Sequence, residues 1–255
     1  MATMLKGSKK TATKTKTPRA TAPKVEEHLA PGNKSDTAVA EKLGVTITAP
    51  NFKTVEIMIR GTAPYVQNSF SKKAREIMRA KQAEGSTAAS KGRKREAKDF
   101  DAAFRDAQHR STQNWPGIPA SAIKNALVDS CVVVGYHKTK AKKAIFIEAD
   151  GFDAVEGTPL LRLYNDSPKK KLTNAVPKHV EHMVKLPNGT ADIRVRAMFD
   201  NWRAKIRVRF DADMFKPADI ANLMLRAGMQ VGIGEGRADS PSGCGMGWGH
   251  FECVR

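Results

Sequence analysis

The chain is short of acid. Against 44 Lys+Arg it carries 26 Asp+Glu, a formal net charge of +18. That deficit points to a polyanionic partner, and nucleic acid is the commonest one; a ribosomal-type role and a membrane surface are the other readings of such a charge. Cysteine is scarce: Cys131, Cys244 and Cys253 are an odd, scattered set, which excludes a disulfide framework and fits a reducing cytoplasm. No apolar run reaches the roughly eighteen residues of a membrane span, so none is expected. The basic N-terminus has no apolar stretch behind it and does not read as a signal peptide. Aromatic residues make up 6%, with 3 Trp and 3 Tyr. With so few platforms for stacking, contact with a strand is expected to be sequence-independent and carried by Lys and Arg.

What the chain has instead is glycine near its end and lysine and arginine in blocks. A predicted helix over 216–227 runs into Gly228, then Val231-Gly-Ile-Gly-Glu-Gly-Arg237, then Ser242-Gly-Cys-Gly-Met-Gly-Trp-Gly-His250. Glycine loses the most entropy on folding, so this density is unfavourable unless another backbone comes very close. A phosphate chain and a neighbouring strand are both candidates. Gly243, Gly245, Gly247 and Arg237 are the nucleic-acid-binding candidates of this loop.

The first 25 residues contain Lys6, Lys9, Lys10, Lys14, Lys16, Arg19 and Lys24 and no acid. Such a segment cannot bury enough apolar surface to order itself, and disorder is expected over 1–49. It reads as an arm that tracks phosphates, or as a solubilising tail. A basic helical insertion is expected at about 70–115, with helices near 71–83 and 95–109 and a loop carrying Arg93, Lys94 and Arg95. Lys169, Lys170 and Lys171 form a further basic run in a stretch, 150–190, that reads as irregular apart from a short strand at 160–163.

From 50 to 255 the pattern is one α+β domain. Val55, Ile57 and Ile59 alternate with polar residues in a strand over 53–60. A helix over 120–130 places Ile123, Ala126, Leu127 and Ser130 on one face and Lys124 off it. Strands follow at 144–148 and, after Asp200-Asn201, at 202–210. Ile193, Val195 and Ala197 before that turn predict the first arm of a hairpin, with Arg194 and Arg196 on its other face. In the return arm Trp202, Ala204, Ile206, Val208 and Phe210 alternate with Arg203, Lys205, Arg207 and Arg209. Four cations in a row on one strand face repel each other unless anions stand nearby, so this face is expected to contact phosphate. The helix at 216–227 is amphipathic, Asp211 and Asp213 read as its caps, and a strand over 249–254 closes the chain. The order βαββαβ, with long insertions, is the ferredoxin-like plan. RNA-recognition modules share that topology, but their aromatic signature is absent here.

Two motifs carry a resemblance. Ile118-Pro-Ala-Ser-Ala-Ile-Lys-Asn-Ala-Leu127 resembles the "IPGSSLKG" helix start of the RAMP superfamily, the repeat-associated CRISPR proteins whose backbone subunits line guide RNA. The loop from Gly232 to Gly249 resembles the glycine-rich loop before that family's last strand. The likeness covers about 50–255. Ala120 and Asn125 stand where the family usually has Gly, Val128-Asp129 where an arginine often follows, and no endonuclease histidine lies near the first strand. The chain has the look of a stand-alone, phage-encoded relative. The resemblance implies binding of RNA or single-stranded nucleic acid and side-by-side assembly along the strand, as a homo-oligomer, a filament or part of a larger ribonucleoprotein.

Other chemistry is set aside. His179 and His182, even with Cys244, His250 and Cys253, do not make a convincing zinc site, which needs three or four ligands within reach. Gly232 to Arg237 does not fit a dinucleotide fingerprint, and there is no P-loop. No cofactor and no catalytic residue is expected. An endoribonuclease using Asp150, Asp153 or Asp166 is one alternative; a phage single-stranded DNA binding or annealing protein and a structural assembly protein are the others.

Overall fold

The strand of alternating cations is the spine of the protein. A computed structural model describes residues 49–69, 72–83, 99–167, 172–185, 189, 191–240 and 245–254. In chain order the elements are β1 (Phe52–Gly61), β2 (Tyr65–Gln67), α1 (Lys72–Ala83), α2 (Phe100–Asp106), β3 (Gly117–Pro119), α3 (Ala120–Val133), α4 (Lys138–Ala144), β4 (Ile145–Glu148), β5 (Gly151–Phe152), β6 (Pro159–Asn165), β7 (Lys178–Lys185), β8 (Ala191–Phe199), β9 (Trp202–Asp211), α5 (Pro217–Arg226) and β10 (Phe251–Val254).

Strand β9 pairs antiparallel with β1 along its whole length, from Phe52 opposite Asp211 to Arg60 opposite Arg203. Its other edge is shared. Strand β4 takes the C-terminal half, with Ile145 opposite Phe210 and Glu148 opposite Arg207. Strand β6 takes the N-terminal end, with Leu163 opposite Ala204 and Asn165 opposite Trp202. Strand β10 closes the far side of β1, β3 and β5 extend from β6, and every pairing is antiparallel. A second sheet of three strands runs β2-β8-β7. The architecture is a mixed α/β one built on antiparallel sheets.

The core follows from the alternation. Trp202, Ala204, Ile206, Val208 and Phe210 are fully buried on the inner face of β9. They share one cluster with Ile123 and Leu127 of α3 and with Ile220 and Met224 of α5. Each large side chain so buried contributes about 1.5–3 kcal/mol over leaving it in water. Helix α5 begins at Pro217, whose fixed φ suits a first helical turn. Its free N-terminal group is served by Asp219, which accepts from the Lys216 N–H at 2.8 Å. Asp211 instead closes the preceding turn, accepting from the Asp213 N–H at 3.0 Å. The expectation that Asp211 and Asp213 cap the helix is thus corrected.

Two further differences from the sequence expectations stand out, and one helix had not been expected. Strands β8 and β9 are not a hairpin, although they are joined by Asp200-Asn201: β8 pairs with β2 and β7 in the second sheet. Alternation locates strands but not their partners, and in β8 Val195, Arg196 and Ala197 are all buried, as on a strand covered on both faces. The stretch 150–190, expected to be irregular, contains β6 and the eight-residue β7. The lysine run before β4 is helix α4, held by buried Ala141 and Ala144. Smaller shifts are α2, which spans 100–106 where 95–109 was expected, and β10, which begins at Phe251. Among the described residues no helix is long and apolar enough to cross a membrane.

Candidate nucleic-acid interface

The two motifs behind the resemblance meet in space. Strand β3 runs straight into α3, so Ser121, Asn125 and Asp129, four apart, form one stripe of that helix. After α5 a π-helical turn, Ala227–Val231, delivers the chain to Gly232. The loop then folds over β2: the Glu235 N–H donates to the Val66 carbonyl at 3.0 Å and the Gly249 N–H to the Pro64 carbonyl at 2.8 Å. Between stripe and loop lies a cleft of about 450 Å³, lined also by Gln67, His109, Glu235 and Arg237. His109 lies 3.3 Å from the Asp153 carboxylate through Nδ1. Arg237 donates to the Gly234 carbonyl at 3.2 Å. The cleft is not a cationic one: Arg237 shares it with the carboxylates of Asp129 and Glu235.

The glycines answer to the loop itself. A Cβ on Gly245, whose φ is +69°, would sit 2.0 Å from the Arg237 carbonyl oxygen. The close approach that the glycine density called for is therefore made by the loop's own backbone. Gly247 also has a positive φ, +71°, but nothing lies within 4 Å of its would-be Cβ. Of the candidate pair, only Gly247 faces open space.

On the outer face of the large sheet the row of cations has acquired partners. Arg203 pairs with Asp166. Lys205 reaches Glu56 at 2.8 Å, and Arg207 reaches Asp150 at 2.9 Å and Glu148 at 3.5 Å. Arg60, on β1, pairs with Glu252 of β10. The repulsion that called for phosphate is thus met by carboxylates from neighbouring strands, which a single strand's sequence does not display. Arg196 is buried and bound to Glu235, and Arg194 lies 4.0 Å from Asp192.

Arg209 is the exception in the row. It is exposed, and no carboxylate pairs with it among the described residues. Its guanidinium sits over the rings of Phe52 and Phe146, 5.6 and 5.5 Å from their centroids. Lys124 reaches the same corner from α3, with its ammonium 4.6 Å from the centroid of Phe146. Helix α4 runs directly into β4 here, and its Lys140, Lys142 and Lys143 are exposed and unpaired among the described residues, as is Lys53 of β1. Lys138, at the start of that helix, does have a partner, Asp129 at 2.8 Å. Arg209 and Lys124 were among the residues expected from the sequence to bind nucleic acid; Lys53, the α4 lysines and the two phenylalanines were not. The signal for the lysines was present, in a helix with two alanines inward and every cation outward. The signal for Phe52 and Phe146 was not, because only the β1-β9-β4 register brings them together.

Arg93, Lys94, Arg95, Lys169, Lys170, Lys171, Gly243 and the N-terminal arm lie outside the described residues. His179 and His182 fall on β7, where residues three apart point to opposite faces. Their rings pack on Phe104 and Trp248, at 5.0 and 4.9 Å. Among the described residues no group of three His, Cys, Asp or Glu is placed to hold a metal ion. Burial pushes the Cys131 thiol up to about 11, so it is an inert core group rather than a nucleophile.

No protein-family model matches the sequence, and no curated protein matches it. Among solved structures, a chain of the Type III-B Cmr-beta bound to cognate target RNA, determined by cryo-EM, has a TM-score of 0.41 and 11% identity. The alignment covers 87% of this chain and 63% of that one, so it spans less than two thirds of the neighbour's length. A likeness at that level assigns no function.

Proposed function

We propose that this chain is a non-catalytic nucleic-acid-binding protein built on a ferredoxin-like core, and that its main folded contact is the corner where α4, β4 and the end of β9 meet. The successive antiparallel pairings of β10 with β1, β1 with β9 and β9 with β4, and the packing of α3 and α5 into the core beneath β9, support the core assignment. The observation that carries the function is the distribution of unpaired charge. Along β9 the other cations are matched by carboxylates, and Arg162 of β6 by the Asn174 amide; at this corner Lys53, Lys124, Lys140, Lys142, Lys143 and Arg209 have no carboxylate among the described residues. These six cations outnumber the two carboxylates at the end of β9, Asp211 opposite Phe52 and Asp213 beside Asn51; such a local surplus of positive charge attracts a polyanion, and phosphate contact releases the counterions that nucleic acid holds.

The test is salt dependence. Lys140, Lys142 and Lys143 changed together to Ser leave the buried Ala141 and Ala144 in place, so α4 keeps its packing. The log–log slope of affinity against salt should become shallower by about 0.7 for each phosphate of a single strand that is no longer neutralised. An unchanged slope moves the interface away from this corner. Assembly side by side along the strand, which the resemblance implies, is read in the same experiment from protein bound per length of strand.

A further inference from the structure

We propose that Phe52 is a stacking platform for an unpaired base, which makes the corner selective for single-stranded nucleic acid; this rests on the charge reading above. Phe52 is 41% exposed although it opens the longest strand pairing in the protein. Its ring and that of Phe146 form a T-shaped pair, with centroids 5.6 Å apart and planes at 79°. Register does this: Thr54 stands opposite Arg209 on β1, and Phe146 stands opposite Arg209 on β4. The two rings therefore meet across the last residues of β9. Phe146 is only partly exposed, has both Arg209 and Lys124 over it, and acts as the buttress. Phe52 is the ring with surface to offer.

The corner thus sets a ring with exposed surface beside two cations that have no carboxylate partner among the described residues. Bases stack on aromatic rings whatever their sequence, and Lys and Arg beside such rings take the adjoining phosphates. A duplex hides its base faces and could use only the charges. Two other occupants are disfavoured by charge. A second copy of this chain would bring the same cations, at a formal net charge of +18. The chain's own first 25 residues, with seven Lys/Arg and no acid, repel Arg209 and Lys124 as well.

The experiment compares strands with and without bases. Wild type is titrated with oligo-dT and oligo-U of about fifteen nucleotides, a length within the usual site sizes, and with an abasic strand of equal length. The based strands should bind roughly tenfold more tightly, as one stacked base is worth. Phe52→Leu keeps an apolar side chain but removes the ring; it should bring the based strands down to the abasic affinity and leave the salt slope alone. Phe52→Trp should keep the preference, and melting temperatures of both variants establish that they are folded. A Phe52→Leu protein that still prefers based strands overturns the proposal. Equal wild-type binding to based and abasic strands overturns stacking while the charge reading stands, and binding to neither removes both. If Phe52→Leu instead abolishes strand-free self-association, the ring belongs to a protein interface and the proposal falls.

Discussion

Arg196, in the second sheet, is only 7% exposed, and its guanidinium donates to the Glu235 carboxylate of the glycine-rich loop at 2.8 Å. This pair fastens the loop that follows α5 to the sheet formed by β2, β8 and β7. Arg196 also donates to its neighbour's carbonyl, Val195, at 2.9 Å, so each of its three guanidinium nitrogens has a partner within the protein. Removing the partner is costly, because a buried guanidinium then lacks its counter-charge. Glu235→Ala should destabilise by about 2 kcal/mol, less than for a fully buried pair because Glu235 is partly in water. Glu235→Gln, which keeps an acceptor, should cost less. Urea denaturation of the two variants checks the order.

The glycines of the loop should separate by folding cost. Gly245→Val drives a side chain onto the Arg237 carbonyl and needs a positive φ besides. Gly247→Val meets open space and incurs the backbone strain alone, about 1–2 kcal/mol. Gly245→Val should therefore melt well below Gly247→Val. Strand binding measured below both transitions should be near wild type if turn geometry is the whole reason for Gly245. A binding defect in a folded Gly247→Val protein would bring the loop into the interface.

Within the row on β9, the binding defect should concentrate in one residue. Arg209→Ser removes an unpaired cation and should weaken binding with little change in stability. Arg203, Lys205 and Arg207 are already matched by Asp166, Glu56, Glu148 and Asp150. Changing them leaves carboxylates crowded on one face, at a cost of about 1 kcal/mol for each half-buried pair. A filter assay in which the triple variant loses as much affinity per charge as Arg209→Ser contradicts this division.

The pH dependence on the alkaline side has a defined sign. Burial raises the Cys131 thiol from 9.0 to about 11 and raises the Tyr65 phenol further still. The unfolded chain therefore releases the Cys131 proton first. The stability linked to this thiol is present in full below about pH 9 and is lost as pH rises towards 11. Melting temperature should fall over that interval, and Cys131→Ala should flatten the fall while lowering the plateau. A plateau that extends unchanged to pH 11 in wild type would mean the thiol is not so buried.

Deleting residues 1–25 should reduce the salt slope of strand binding. Those residues hold cations without acids, and each phosphate they neutralise on a single strand adds about 0.7 to the slope. An identical slope for the full chain and the deletion would leave the segment as a solubilising tail.

The six elements of the βαββαβ order were readable in the sequence to within a few residues. Each has an apolar period that local geometry imposes: two along β9, near 3.6 along α3 and α5. The surplus of positive charge was equally plain, because it needs no structure to count. What the tertiary structure alone decided was pairing. Sequence placed β8 beside β9, since a two-residue link usually makes a hairpin; the chain instead changes sheets there, because β8 is covered on both faces and β9 on one. Sequence read four cations on β9 as waiting for phosphate, since the acids that neutralise three of them lie on other segments, on β1 and around β4 and β6. It left the glycine density to a phosphate chain or a neighbouring strand, where Gly245 accommodates the carbonyl of Arg237 in its own loop. Phe52 and Phe146 lie far apart in the chain and signal nothing singly. Register across three strands brings them together beside Arg209, and long-range register is the quantity that local periodicity does not encode.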